Sequence, residues 1–356
     1  MDTIKRVGLL LIGACVAACG GGDESPDAAP DASPPDAAVP DATPIPDASL
    51  APESLRETGL YADFDGQILA PGVREFTPTY QLWSDFAEKK RWVYLPPDSQ
   101  IDTTDMDFWV YPVGTRLWKE FWRDGVRVET RLLYKTRNIK GPSGWLMRTF
   151  VWNEEQTDAL LVRGGQDDAV GTDHDVPSEI ECLRCHSGVP DVGIGFSAVL
   201  LDHTLPGVNM EWLVDRDILT IPPAAASPPY FPLPGTQAQQ DTLGYLHTNC
   251  GTCHNPTTEV FMSGDALMNL RLITSQIATV EGSPAYTTSV CQEMQKPIAT
   301  AAQIVVPGDP EASAMYLRMN QRGTEDEMPQ LGSELVDPSG IASIRAWIQS
   351  IPACPQ

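Results

Sequence analysis

The pattern of apolar and polar positions divides the chain into an N-terminal part with short strand-like runs and a C-terminal part with helical periodicity. Residues 115–123 and 126–135 are rich in aromatic and β-branched side chains, and they flank Asp124-Gly125, the dipeptide of a two-residue hairpin turn. Further runs of this kind occupy residues 91–95, 108–111 and 146–152. The pattern predicts a sandwich-like antiparallel β domain over residues 55–165.

Helical spacing of apolar positions appears in the last third of the chain. The predicted helices span residues 237–250, 310–320 and 338–351. The last of them gathers Ile341, Ile344 and Trp347 on one face. Residues 166–234 show little periodicity apart from a short amphipathic run at 210–219. The expected fold class is therefore α+β, with a β-sandwich-like N-terminal domain followed by a mainly α region.

Tryptophan is concentrated in the β-rich part of the chain. Seven of the nine Trp residues fall there: Trp83, Trp92, Trp109, Trp118, Trp122, Trp145 and Trp152. Large aromatic side chains supply much of the core of a small β domain, which is the interpretation we favour. The alternative is an aromatic surface that binds a carbohydrate or a quinone.

The first residues have the layout of an export signal. Residues 1–18 combine Lys5 and Arg6 with an apolar run that is too short to span a membrane. Val16-Ala17-Ala18-Cys19 is similar to a bacterial lipobox, which predicts cleavage before Cys19 and lipidation of that residue; Cys15 is the weaker alternative. By the general sorting pattern of lipoproteins, Gly20 favours the outer membrane. We expect a lipid-anchored protein on the periplasmic side of the cell envelope.

Residues 19–54 are expected to form a tether between the lipid and the folded body. The tripeptide Pro-Asp-Ala recurs there and residues 20–54 lack Lys and Arg, so this segment cannot form a core. The whole chain carries a formal net charge of −24. Such acidity argues against a nucleic-acid partner, and it fits either a basic protein partner or a solvated surface that binds none.

The pentapeptide Cys-x-x-Cys-His occurs twice, at residues 182–186 and 250–254. It is the attachment signature of c-type haem, because each of the two thiols can form a thioether with one haem vinyl group. The adjoining histidine then lies where its imidazole can bind the iron. We therefore predict two covalently bound haem c groups, attached at Cys182, Cys185, Cys250 and Cys253.

Two other interpretations of these cysteines compete with haem. A zinc ion could be bound by all four, although the histidine after each pair would then have no role. A thioredoxin-like redox pair would need a βαβ context, which neither copy shows. The haem interpretation alone accounts for both histidines.

The predicted proximal iron ligands are His186 and His254. For the second haem the distal candidate is Met328, which precedes Pro329 between the last two predicted helices, with Met319 as the alternative. A neutral thioether favours ferrous iron, so a His/Met haem suits electron transfer. The distal position of the first haem stays open, and its candidates are His174, His203, His247, Met210 or an open or water-bound site.

Cysteine arithmetic leaves one further pair. The chain has eight cysteines. Once Cys15 leaves with the signal, Cys19 takes the lipid and four cysteines take the haems, Cys291 and Cys354 remain. Because disulfides persist in an exported protein, we expect a bridge between them, with two unrelated buried thiols as the alternative.

Several stretches carry a resemblance to a known family. They are residues 82–89, 111–115, 128–133, 149–153, 181–186, 245–256, 306–310 and 328–329. With these stretches the chain resembles a bacterial family of exported dihaem c-type cytochromes with a β-rich N-terminal region, from about Leu60 to the end. The resemblance implies two covalent haems and single-electron transfer with redox protein partners in the cell envelope, and it implies no defined substrate.

The expected organisation follows from these segments. It comprises a signal peptide (1–18), a lipidated tether (19–54), a β-rich domain (55–165), a first haem-binding segment (166–234) and a region ordered like a class I cytochrome c (235–356). One alternative function is a dihaem peroxidase, which needs an iron with an open distal position and a nearby acid or base. Another is a ligand-binding envelope protein in which the haems report on the ligand.

Overall fold

The computed structural model describes residues 52–298 and 301–354. These residues form an α+β structure with one six-stranded antiparallel sheet and helices of up to 13 residues, as the predicted fold class requires. The predicted signal peptide, the lipidation of Cys19 and most of the tether at 19–54 lie outside the described residues. No helix in the described part of the chain is long and apolar enough to cross a membrane.

The strands pair with their neighbours along the chain. They are β1 (Tyr61–Asp63), β2 (Ile68–Leu69), β3 (Val73–Glu75), β4 (Glu88–Tyr94), β5 (Arg116–Arg123), β6 (Val126–Lys135), β7 (Trp145–Trp152), β8 (Ala159–Leu161), β9 (Glu293–Ile298) and β10 (Ala301–Gln303). The large sheet has the order β3-β4-β5-β6-β7-β8, which is a meander. Two small antiparallel sheets consist of β1 with β2 and of β9 with β10.

The turn between β5 and β6 is the predicted one. Asp124 and Gly125 both have positive φ, at 50° and 81°, as a type I′ turn requires. β6 has the predicted bounds, and β5 begins one residue later than predicted. The dipeptide therefore sets the register of the two central strands.

Both faces of the large sheet are covered. On one face, Trp118 and Phe150 belong to a core that also contains Leu55 from the segment before the sheet. On the other face, Leu117 shares a core with Phe196, which lies after the large sheet in the chain. The covering layers are a two-stranded sheet with loops on one side and short helices with loops on the other. The prediction of a sandwich-like domain is therefore confirmed only in part. The strand patterns indicate which side chains are buried, but they do not indicate which distant segment of the chain covers them.

The tryptophans of the β region mostly belong to these cores. The buried ones are Trp92, Trp109, Trp118, Trp145 and Trp152, and the half-buried ones are Trp83 and Trp122. Core packing thus accounts for the high density of tryptophan in this region, which is the interpretation that we favoured from the sequence.

The helices are concentrated after the large sheet. They are α1 (Glu179–His186), α2 (Ala198–Leu201), α3 (Met210–Asp215), α4 (Gln237–Asn249), α5 (Glu259–Met262), α6 (Pro284–Thr287), α7 (Ala314–Met319) and α8 (Pro338–Ser350). The predicted helix at 310–320 divides into a 3₁₀ turn at Pro310–Ala312 and α7. Ser313 separates them, because its backbone is extended and its hydroxyl accepts the amide proton of Val306 at 2.8 Å.

Helices α4 and α8 pack against each other over a shared core. Tyr245 of α4 lies over Gly340 of α8, where a Cβ atom would come within 2.3 Å of the tyrosine ring. The missing side chain therefore lets the two helices approach closely. Leu243, Leu246 and Trp347 fill the interface below this crossing.

A disulfide joins Cys291 to Cys354, with 5.8 Å between their Cα atoms. This pairing agrees with the one expected from the cysteine count. The bridge spans 63 positions of sequence, so the segment that it closes contains α7, α8 and the loop between them.

We predict that Cys291→Ser and Cys354→Ser each lower the free energy of unfolding by about 4 kcal/mol, because an open loop of this length gains conformational entropy in the unfolded chain. Urea titration of the mature protein measures the loss. The double variant should be no less stable than either single variant, since each change alone already breaks the bond. Additive losses would show that the two cysteines act as independent core residues.

Candidate functional site

The first Cys-x-x-Cys-His motif lies on a short, well-capped helix. Cys182, Cys185 and His186 all belong to α1. Ser178 and Glu181 form a capping box at its start, in which each side chain binds the backbone amide of the other. These two capping residues start the helix just before the motif. The helix then fixes the relative positions of the two thiols and the imidazole.

The second motif follows α4 directly and contacts the first. Cys250 caps the C-terminal end of α4. The side chains of Cys185 and Cys253 lie close enough for each to shift the pKa of the other. Gly188 lies so close to the second motif that a Cβ atom there would come within 1.8 Å of the carbonyl oxygen of Thr252. Only glycine fits at this position, so backbone packing sets the spacing of the two motifs.

A buried asparagine joins the two motifs. Asn255 Nδ2 donates to the carbonyl of Gly188 at 3.0 Å and to that of Gly251 at 2.8 Å. The hydroxyl of Thr257 donates to the same Gly188 carbonyl at 3.2 Å. Sequence reasoning missed this role of Asn255, and the only available signal was its position directly after His254.

The contact between the motifs also sets the acidity of the thiols. The nearby sulfur of Cys253, together with burial, raises the pKa of Cys185, and the nearby thiol of Cys185 lowers the pKa of Cys253 to about 7. Burial raises the pKa of Cys250 to about 12. Among the described residues, no group of three or more His, Cys, Asp or Glu side chains could hold a metal ion.

The ring of His186 has one nitrogen fixed by a hydrogen bond and one with a free lone pair. Its Nδ1 lies 2.8 Å from the carbonyl oxygen of Val192, and a carbonyl can only accept, so Nδ1 carries the proton. Burial lowers the pKa of His186 to about 4, which keeps the ring neutral. The lone pair of Nε2 is then available, in the arrangement that fixes the tautomer of iron- and zinc-bound histidines.

A buried ion pair holds the loop that orients His186. Asp191 precedes Val192 and pairs with Lys135 of β6; both side chains are almost completely buried. The carboxylate of Asp191 also accepts hydrogen bonds from the backbone amide of Tyr111 at 2.9 Å and from the indole of Trp145 at 3.0 Å. The sheet thus positions the carbonyl that binds His186, a connection that the sequence did not reveal.

His254 is buried with a free ring nitrogen. The residue is 7% exposed, and its Nδ1 has no hydrogen-bond partner within the described residues. Burial lowers its pKa to about 4, so this ring is also neutral. A buried polar atom without a partner is rare in folded proteins, and a group that is not part of the chain can supply the missing interaction.

The other histidines already use a ring nitrogen within the chain. His247 Nδ1 accepts the amide proton of Leu272 at 3.0 Å, and His203 Nδ1 accepts that of Leu205 at 3.0 Å. In the neutral ring this places the proton on Nε2 in both residues. His174 Nε2 lies 2.9 Å from a carboxylate oxygen of Glu129. None of the three has the arrangement of His186, in which a carbonyl leaves Nε2 unprotonated.

Met328 and Met319 have different environments. Met319 is 7% exposed and belongs to the core between α4, α7 and α8. Met328 is half-buried in the loop between α7 and α8. Its backbone is anchored on both sides, because its amide donates to the carbonyl of Arg318 at 2.9 Å and its carbonyl accepts from Arg322 at 3.1 Å. The geometry thus assigns Met319 to packing and leaves the thioether of Met328 without such a role.

The loop that carries Met328 is tied to the end of α4. The backbone amide of Trp83 donates to the side chain of Asn249 at 2.7 Å, and its indole donates to the carbonyl of Leu335 at 3.0 Å. The carboxylate of Asp85 accepts the amide protons of Glu334 and Leu335. Residues from the β-rich part therefore connect the second motif to the methionine loop.

Several apolar side chains beside the two motifs are exposed in the described part of the chain. α1 has no buried residue, and its Ile180 and Leu183 are 73% and 37% exposed. After the second motif, Val260 and Met262 of α5 are 37% and 70% exposed. Such side chains are available to contact an apolar group bound at either motif. The donor set and its surroundings therefore fit covalently bound haem at both motifs.

Comparison of the chain with protein-family models, with curated proteins and with solved structures finds no match. The interpretation of the site therefore rests on its own residues and geometry.

We predict that Asp191→Asn lowers the free energy of unfolding by about 3 to 5 kcal/mol, because it leaves the charge of Lys135 buried without its partner. Urea titration of the mature protein provides the measurement. Glu155→Gln removes an exposed carboxylate and should change stability by less than about 0.5 kcal/mol. Equal effects of the two changes would contradict the role given to the buried pair.

Proposed function

We propose that this protein is a dihaem c-type cytochrome that passes single electrons between redox proteins of the cell envelope. The observation that carries the proposal is the contact between two complete Cys-x-x-Cys-His motifs, whose histidines are neutral, with His254 buried and His186 half-buried. One haem would be held by Cys182, Cys185 and His186, and the other by Cys250, Cys253 and His254. When bound, each haem supplies one-electron redox chemistry.

The chain's own residues supply ligation and spacing. Val192 fixes the tautomer of His186, so that Nε2 keeps a lone pair for a ligand bond. Gly188 and Asn255 hold the two attachment motifs together. Because the two attachment motifs are neighbours, the two haems would lie on one short electron-transfer path. That arrangement suits an electron carrier better than two distant haems would.

We further propose that residues 235–356 form a region like class I cytochrome c, with Met328 as the second protein ligand. α4 leads into the second motif and α8 packs across α4, which is the helix order that the resemblance implies. The anchored backbone of Met328 supports its assignment over Met319. The envelope location rests on the signal-like residues 1–18 and on Cys19.

We expect the mature protein, made in a host that attaches c-type haem, to exceed the mass of its polypeptide by two haem groups. Intact mass spectrometry measures this directly. The variant Cys182→Ser/Cys185→Ser should keep one haem, since the second motif is unchanged. The variant Cys291→Ser/Cys354→Ser should keep both. A protein without haem, or with bound zinc in its place, would refute the proposal.

Replacement of Met328 by leucine should lower one of the two reduction potentials and remove the methionine band at the red end of the ferric spectrum, because a neutral thioether favours ferrous iron. Spectroelectrochemical titration measures both. Met319→Leu keeps the core volume and should leave both properties unchanged.

Two outcomes would contradict this assignment or the proposed role. If only the Met319 variant loses the band, then Met319 is the ligand. If the unchanged protein sustains reduction of hydrogen peroxide by a cytochrome donor, and His186→Ala abolishes it, the peroxidase alternative explains the protein better than electron transfer.

A further inference from the structure

Four cations share one face of the central sheet strands. In the register of the sheet, Arg91 on β4 lies opposite Lys119 on β5, and Lys119 lies opposite Arg131 on β6. Lys89 is two residues before Arg91 and therefore points to the same face. Like charges directly opposite each other destabilise a sheet. We call Lys89, Arg91, Lys119 and Arg131 the cationic row.

Within the described residues, a carboxylate neutralises the cationic row only at its Arg131 end. Among these four cations, only Arg131 forms an ion pair there, with Glu129, whose carboxylate also bonds to His174. Arg91 donates to the side-chain oxygen of Gln81 at 3.1 Å, and that group is neutral.

The two lysines of the row have weaker partners. Lys119 Nζ lies 4.5 Å from the ring centre of Phe121. Lys89 donates to the carbonyl of Leu82 at 2.8 Å, and the more distant carboxylates of Asp337 and Asp85 attract its charge electrostatically. The row thus keeps more positive charge than its surroundings balance.

This excess charge lies in a poorly hydrated place. Arg91 is only 6% exposed, and Lys119 is partly buried. Buried cations without anions are costly, so the arrangement is that of a site which an anion completes.

The cationic row lies beside the first motif. Val93 and Leu117 lie two residues from Arg91 and Lys119 on the same face of the sheet, and both share a core with Val192. The carbonyl of Val192 accepts the hydrogen bond from His186. The row and the loop that holds His186 therefore lie on the same face of the sheet.

We propose that the cationic row binds the propionate carboxylates of the haem attached at Cys182 and Cys185. This inference rests on the proposed function, because it requires a haem at the first motif. Two carboxylates bring two negative charges to a face with four cations and one engaged carboxylate. Arginine and lysine at short distance are the usual donors to such groups.

The test compares Lys119→Met with Lys90→Met in the mature protein with bound haem. Lys90 is the neighbour of Arg91 on β4, but it points to the opposite face and is exposed. Both changes remove one positive charge, so the overall charge is matched. Intact mass first shows that each variant carries two haems, and spectroelectrochemical titration then gives both potentials.

We expect Lys119→Met to lower one potential, because an unneutralised carboxylate stabilises ferric iron. A tenfold change in the equilibrium constant of reduction corresponds to about 59 mV for one electron. Lys90→Met should leave both potentials unchanged. Lys119→Arg keeps the charge and should retain the potential of the unchanged protein, which separates a charge effect from a packing effect.

Three results would overturn the inference. If Lys119→Met and Lys90→Met give the same potentials, the row does not contact a propionate, while two bound haems would still support the proposed function. If Lys119→Arg shifts the potential as Lys119→Met does, the effect is one of packing. If succinate shifts a potential of the unchanged protein in a saturable way and Lys119→Met abolishes this shift, the row binds a free dicarboxylate instead.

Discussion

The close contact between Gly188 and the second Cys-x-x-Cys-His motif is the constraint on which the arrangement of this molecule depends. A carbonyl oxygen occupies the space of any side chain at position 188, and buried Asn255 bonds to carbonyls of both motifs. The loop that follows Gly188 is in turn held to the sheet through Asp191. This contact therefore joins the β-rich part, α1 and the second motif, and a side chain at position 188 would push the two motifs apart.

The protein uses buried charge in two different ways. Lys135 and Asp191 compensate each other, and the carboxylate has two further donors, so the pair is complete within the chain. The cationic row has a similar position on the sheet but too few carboxylates. The first arrangement fixes a loop, and the second is ready for an anionic group. The distinction depends on partners rather than on burial.

Local sequence signals predicted the local structure well. The Asp124-Gly125 turn, β6, α4 and α8 follow from turn chemistry and periodicity, and the cysteine count gave the disulfide. The relations between distant segments could not be predicted in this way. Arg91, Lys119 and Arg131 form a row only through strand register, and an isolated charged residue in a strand normally indicates a solvated face. The proton position on His186 depends on a carbonyl six residues away, which no motif specifies.

The contact between Cys185 and Cys253 has a consequence for how the protein is made. The two side chains lie close enough in the folded chain for each to shift the pKa of the other, and that of Cys253 is lowered. In an oxidising compartment, loss of two electrons and two protons to an oxidant would join such a pair as a disulfide. That bond would remove one attachment cysteine from each motif at once. On the proposed function, attachment of the haems before folding would avoid this competition, and folding would then bring together two groups that are already in place.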